Sequence, residues 1–201
     1  PHSLPLVMLG SGLLWFGWFG FNAGSALGND DGVGALMFVN TQVATAAAML
    51  AWLAYEKIRH GAFTTLGAAS GAVAGLVAIT PSGGAVSPLG AIAVGAIAGV
   101  ACAAAVGLKY KFGYDDSLDV VGVHMVGGIV GCLFIGFLGT SFTTTSADGK
   151  AFTWGAPGLF YGGGTAQLMS QLIGSGSVVL ATLAVSAVLM YAVKATGTLR
   201  V

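Results

Sequence analysis

Charge is what this sequence has least of. Seven basic and seven acidic residues make up 7% of its 201 residues, where a soluble domain carries about 25%. A water-soluble surface cannot be assembled from that supply, so most of the surface faces lipid. The basic residues form no stripe that could follow a phosphate backbone, which excludes nucleic acid as a partner. Cysteine is nearly missing too: Cys102 and Cys132 both lie in apolar runs and form no CxxC. That excludes a disulfide framework and a thiolate metal site, and leaves both as small buried residues. Carboxylates do not gather either. Asp30 and Asp31 make a turn with Gly32, far short of a calcium-loop ligand set and good for weak cation attraction at most. No catalytic residue, cofactor or metal is predicted, and the chain does not read as an enzyme. A basic leader with a cleavage site is lacking as well: Pro1 stands just before an apolar run, and a start without methionine points to a cut or processed N-terminus.

What the sequence holds in plenty is apolar residues and glycine: 56% apolar, 34 glycines and a mean hydropathy of +0.89. An α-helix rises 1.5 Å per residue, so about 20 residues cross the hydrocarbon of a bilayer. Candidate spans lie at about 4–27, 35–55, 66–80, 89–108, 117–138 and 168–193. The expected fold is an all-α integral membrane protein, a single transmembrane domain over 1–201 with six transmembrane helices. Loop charges fix its orientation. Lys57, Arg59, Lys109, Lys111, Lys194 and Arg200 follow even-numbered spans, and Lys150 lies on the other side. Basic residues accumulate on the cytoplasmic face, which places the C-terminus in the cytoplasm, in a plasma or inner membrane. The loops at 28–34, 81–88 and 139–170 are then extracytoplasmic. Trp154, Phe160 and Tyr161 read as interface anchors. Ser117 and Asp119 read as caps of the fifth helix, Asp119 in preference to a proton relay.

The fifth span, SLDVVGVHMVGGIVGCLFIGFL, carries one titratable side chain in mid-run, His124. Ionisable groups at that depth are expensive and usually face a bundle interior, so they mark functional sites by default. The alternative is a neutral imidazole that only packs; among these glycines the functional reading is preferred. Val121, His124 and Gly128 fall at i, i+3 and i+7, roughly one face. Glycines recur at a spacing of four in Gly20/Gly24, Gly67/Gly71/Gly75, Gly95/Gly99 and Gly127/Gly131, as close helix packing requires. Asn40, Thr41, Gln42 and Thr45 in the second span call for interhelical hydrogen bonds. In the first span Trp15, Phe16, Trp18, Phe19 and Phe21 crowd beside Asn22 and Ser25. Two readings of that cluster stand side by side: an aromatic belt at the interface, or rings and a hydroxyl that bind a small bare cation.

The run PHSLPLVMLGSGLLWFGWFGFNAGSAL together with DVVGVHMVGGIVG resembles the ammonium transporter (Amt/Mep/Rh) family. FVNTQVATAAAMLAWLAYE, GAASGAVAGLVAITPSGG and GLFYGGG follow in the family's order, so the resemblance covers essentially the whole chain. It implies spans six through eleven of an eleven-helix bundle, with five N-terminal spans and the long C-terminal tail absent. It also implies that Phe21 is one of two stacked gate phenylalanines, that Ser25 accepts a hydrogen bond from ammonium in an outer vestibule, that Trp18 is an aromatic near the pore, and that His124 is one of a pair of pore histidines. The partner histidine, the second gate phenylalanine, the vestibule tryptophan and the buried aspartate all belong to the absent half. Further implications are a homotrimer with one pore per protomer and a PII-type nitrogen regulatory protein at the cytoplasmic face.

The expected function is transport of ammonium or ammonia, with methylammonium as an analogue. Ammonium is recruited near Ser25 and Trp18, passes Phe21, and moves as ammonia past His124. The six spans offer His124 no second titratable partner, so the 201-residue chain is not expected to conduct by itself. A sensor that reports ammonium to a cytoplasmic nitrogen-regulatory partner is the alternative. A proton-conducting subunit is disfavoured, because no mid-span carboxylate or lysine is present.

Overall fold

The structure is a computed structural model that describes residues 2–28, 32–146 and 148–197. The Asp30–Asp31 turn and Arg200 lie outside the described residues. Long helices dominate: α1 (Leu4–Gly24), α2 (Val33–His60), α3 (Thr65–Ser82), α4 (Pro88–Val106) with a short α5 (Leu108–Phe112), α6 (Val126–Leu138) entered through a π-helical turn at Val121–Met125, and α7 (Ala166–Thr196). Six segments are long and apolar enough to cross a membrane, counting α4 with α5 and the π-turn with α6. The chain is therefore a multi-pass membrane protein.

Helix ends follow local chemistry. Pro5 opens α1, Thr64 Oγ1 accepts from Gly67 N–H at 2.8 Å, and Ser87 Oγ accepts from Gly90 N–H at 3.2 Å just before Pro88. The two hydroxyls each satisfy a donor that the helix leaves free, and Pro5 brings no N–H to satisfy. The fifth span departs from its expected caps. Asp116, not Ser117 or Asp119, receives its first N–H groups: Oδ1 from Val120 at 2.7 Å, Oδ2 from Val121 at 2.9 Å and Gly122 at 3.3 Å. Asp119 instead pairs with Lys109 at 2.6 Å, and the Ser117 hydroxyl donates to Asp115.

The core is a sandwich of α2 between α3 and α4. Ala44, Ala48, Ala74, Leu76, Ala78, Ile79, Val94 and Ala98 are fully buried there, side chains mostly so small that helix axes draw close. Gly71 and Gly75 face Trp52, Ala48 and Thr45 of α2, Gly95 and Gly99 face the Ala44 and Ala48 backbone, and Gly131 faces Ala78 of α3. Gly20 and Gly24 differ: nothing described lies within 4 Å of a Cβ built there. Outside this sandwich, α7 has no buried residue.

Asn40 ties the core to the α3–α4 turn. Its Nδ2 donates to Gly83 O at 2.7 Å and Val86 O at 2.8 Å, with the residue fully buried. Asn40→Ala strands two carbonyls and is expected to cost about 2 kcal/mol. Thermal unfolding in detergent checks this; an unchanged midpoint would show that the turn holds without the clamp.

The loop between α6 and α7 contains a hairpin that the span pattern does not announce. Strands β1 (Phe142–Thr145) and β2 (Ala151–Trp154) pair antiparallel, Phe142 opposite Trp154, with the two rings stacked at 5.8 Å. Gly149, at φ +82°, takes a left-handed position in the connection. The Ser146 hydroxyl donates to Asp148, and Lys150 lies 3.0 Å from it. The Ser146 bond, then the Lys150 contacts, hold the Asp148 carboxyl below the usual carboxylate range. Trp154 thus packs within the hairpin, while Phe160 and Tyr161 are exposed.

Candidate functional site

Two groups of side chains stand out, one at the C-terminal end of α1 and one at the π-turn. In α1, Trp18 and Phe21 meet edge to face with centroids 5.6 Å apart, as i, i+3 spacing allows. Phe21 is 61% exposed. Ser25 follows the helix; its hydroxyl donates to Phe21 O at 2.6 Å, so its remaining oxygen lone pairs point outward as acceptors. The three residues first singled out in sequence therefore sit along one stripe: ring, ring, hydroxyl oxygen.

The indole of Trp18 is not free to turn. Its Nε1–H donates to Thr80 Oγ1 at 2.7 Å, and Thr80 lies 2.8 Å from Leu76 O and 3.2 Å from Asn22 Oδ1. Asn22, 1% exposed, donates through Nδ2 to Thr41 Oγ1 at 3.0 Å, and Thr41 donates to Met37 O at 2.6 Å. The chain Trp18–Thr80–Asn22–Thr41 joins α1, α3 and α2 by buried and part-buried polar bonds. Thr80 escapes a sequence reading, since it is 62 residues from Trp18. Asn22 and Thr41 carried the hint, as polar residues in apolar runs.

His124 lies on the π-turn, with Val126 N–H reaching five residues back to Val121 O. Its imidazole has no hydrogen-bond partner among the described residues. The ring is exposed, at the junction of two cavities. One, about 580 Å³, runs between α6 and α7 and is walled by Pro81, Gly128, Cys132, Ser175 and Thr182 among others. The second, about 390 Å³, lies between α1, α3 and the π-turn and includes Ser11, Ser70 and Asp119. Gly128 shares the first cavity with His124 and leaves open space in front of its Cα. Val121 lines neither cavity, and Met125 takes a place beside His124. A π-turn fits one more residue into the turn than an α-helix, which displaces residues on its N-terminal side from the expected face.

The α1 group lies outside both His124 cavities: neither wall includes Trp18, Phe21 or Ser25. They are linked through α3, where Thr80 holds Trp18 and the adjacent Pro81 walls the His124 cavity. A wall like that of the first cavity, apolar with a few polar groups and one imidazole, passes a small neutral polar molecule more readily than an ion.

Comparison with known proteins narrows the identity. The family model described as Ammonium Transporter Family matches residues 1–201. The ammonium transporter of Mycobacterium tuberculosis is 57% identical over 200 residues, covering 100% of this chain and 41% of that protein. The ammonium transporter of Aquifex aeolicus is 47% identical over 202 residues, covering 100% of this chain and 45% of its own length. The crystal structure of Saccharomyces cerevisiae Mep2 superposes with a TM-score of 0.87 at 34% identity, over 97% of this chain and 44% of that one. A solved structure titled Sensor Amt Protein superposes at 0.85 with 29% identity. The chain thus spans less than half the length of these relatives. With an end-to-end family match, and the same helices superposing on solved relatives, the chain belongs to the ammonium transporter family.

Proposed function

We propose that the complete protein moves ammonium or ammonia across a plasma or inner membrane, with its C-terminus in the cytoplasm. The observation that carries this reading is His124, an imidazole without a hydrogen-bond partner among the described residues, at the meeting of two largely apolar cavities inside a membrane-spanning segment. Moving an intact cation into such a space costs many kcal/mol, while ammonia crosses without that penalty. Ammonium is recruited at the outer end of α1, where the Trp18 and Phe21 rings offer quadrupole attraction and Ser25 offers an acceptor. Phe21 closes the way inward. Beyond it, His124 exchanges hydrogen bonds with ammonia, as a neutral imidazole both accepts and donates. The relatives at 57% and 47% identity are named transporters, which favours transport over the sensor reading. Family membership further supports assembly as a homotrimer and a PII-type regulatory protein as cytoplasmic partner.

The recruitment step has a direct test. Ser25→Ala in the complete protein removes a hydrogen bond to a charged ligand, worth roughly 1.5–3 kcal/mol. Methylammonium uptake into vesicles is then expected to show a half-saturation concentration raised about tenfold or more, with the maximal rate less affected. A half-saturation value equal to wild type removes Ser25 from the recruitment site.

A further inference from the structure

His124 has no hydrogen bond of its own among the described residues, so its direction is set by the backbone that carries it. That backbone is a π-turn, a geometry rare enough that something must hold it. Four contacts converge on it. Asp116, buried to 9% exposure, takes the N–H groups of Val120, Val121 and Gly122 on its two carboxylate oxygens. Lys109 Nζ spans the Asp116 carbonyl at 3.0 Å and Asp119 Oδ1 at 2.6 Å, and Asp119 sits in the left-handed region at φ +57°. Cys102 Sγ donates to Val123 O at 3.6 Å. Gly122 lies against α4, where a Cβ would come 2.8 Å from Val106 Cγ2 and 3.0 Å from Val106 Cα.

Of these, the Asp116 carboxylate makes the most hydrogen bonds to the start of the turn. It gathers three successive N–H groups, the donors that a helix beginning at this point leaves free. Losing those bonds frees the turn to relax to α spacing. Removing one residue from the turn rotates what precedes it by up to about 100° relative to α6. Ser117, Leu118 and Asp119, which wall the second cavity from the N-terminal side of the turn, would then rotate away from His124, and the junction that its ring occupies would be lost. We infer that Asp116 is a positioning residue: it fixes the π-turn and thereby keeps His124 at the junction of the two cavities. The functional part of this inference rests on the proposed role of His124 in the path.

The test uses the complete protein in lipid nanodiscs and vesicles, with two readouts. The imidazole ¹⁵N signals of His124, assigned by their loss in H124A, report ring environment; methylammonium uptake reports transport. D116A is expected to move the His124 signals and to lower uptake roughly tenfold to hundredfold, the scale of an ångström-level misplacement. D116N keeps one acceptor oxygen and is expected to give a smaller shift and a smaller loss; it carries the test if D116A does not fold. His124 signals at their wild-type positions in whichever variant folds would overturn the inference. A moved signal with wild-type uptake in both the Asp116 variant and H124A would uphold the positioning role and sink the pore reading instead.

Discussion

His124→Ala in the complete protein is expected to cut methylammonium uptake by at least about fivefold or to let potassium compete with ammonium. Both outcomes have one cause. Ammonia leaving water for an apolar passage loses hydrogen bonds, and an unmet polar group in such surroundings costs about 1–3 kcal/mol. The imidazole sits where the two cavities meet and can meet that need as donor or acceptor. Without it the barrier rises by that amount, a factor of roughly 5 to 160 in rate. Alternatively water fills the space left by the ring. A wetted passage lowers the cost for any cation, and ammonium is about the size of potassium, so selectivity fails before flux does. Uptake assays with and without excess potassium separate the two. Wild-type flux with wild-type discrimination would remove His124 from the path.

How much of this was legible in the sequence depended on how local the causes are. Apolar runs announce membrane-crossing helices because the bilayer imposes length and composition together, and six segments of that kind are present. The glycine spacings were equally readable but incomplete. Gly95/Gly99 and Gly71/Gly75 meet α2, whereas nothing described faces Gly20/Gly24, since spacing marks a smooth face without naming what lies on it. The hairpin was missed although Asp148-Gly149 between threonine-rich segments is a turn signal. The fifth-helix cap shows the harder case. Asp116, Ser117 and Asp119 all suit the role by residue type, and three-residue capping rules presume a regular first turn. The π-turn breaks that presumption. Apart from Asp116, its supports, Lys109, Cys102 and Val106, come from α4 and α5, so a short window of sequence around His124 does not contain them. Thr80 was beyond reach for the same reason: the bond that fixes Trp18 exists only once α1 and α3 are packed.

The second large effect is on stability and sits at the crossing of α2 and α4. Gly95→Ala adds a Cβ against the Ala44 carbonyl oxygen, 2.8 Å from both Ala44 C and Cα. Every one of these neighbours is backbone, so no rotamer change relieves the clash and α4 must move as a body. Overpacking of a tight core costs about 1–3 kcal/mol, and this position belongs at the upper end. At roughly 2–4 °C per kcal/mol for a chain of this size, the unfolding midpoint in detergent should fall by about 6–12 °C. Gly99 meets the Ala48 backbone one turn further along, so a Gly95→Ala/Gly99→Ala pair shares one displacement of α4. The double variant should therefore lose less than the sum of the singles. A Gly95→Ala midpoint within a degree of wild type would mean that the α2–α4 contact yields without strain. The displacement also reaches function, because Cys102 and Val106, which brace the π-turn, stand on the same helix. Movement of α4 off α2 carries that brace with it, so Gly95→Ala protein that still folds should show shifted His124 imidazole signals as well as a lower midpoint.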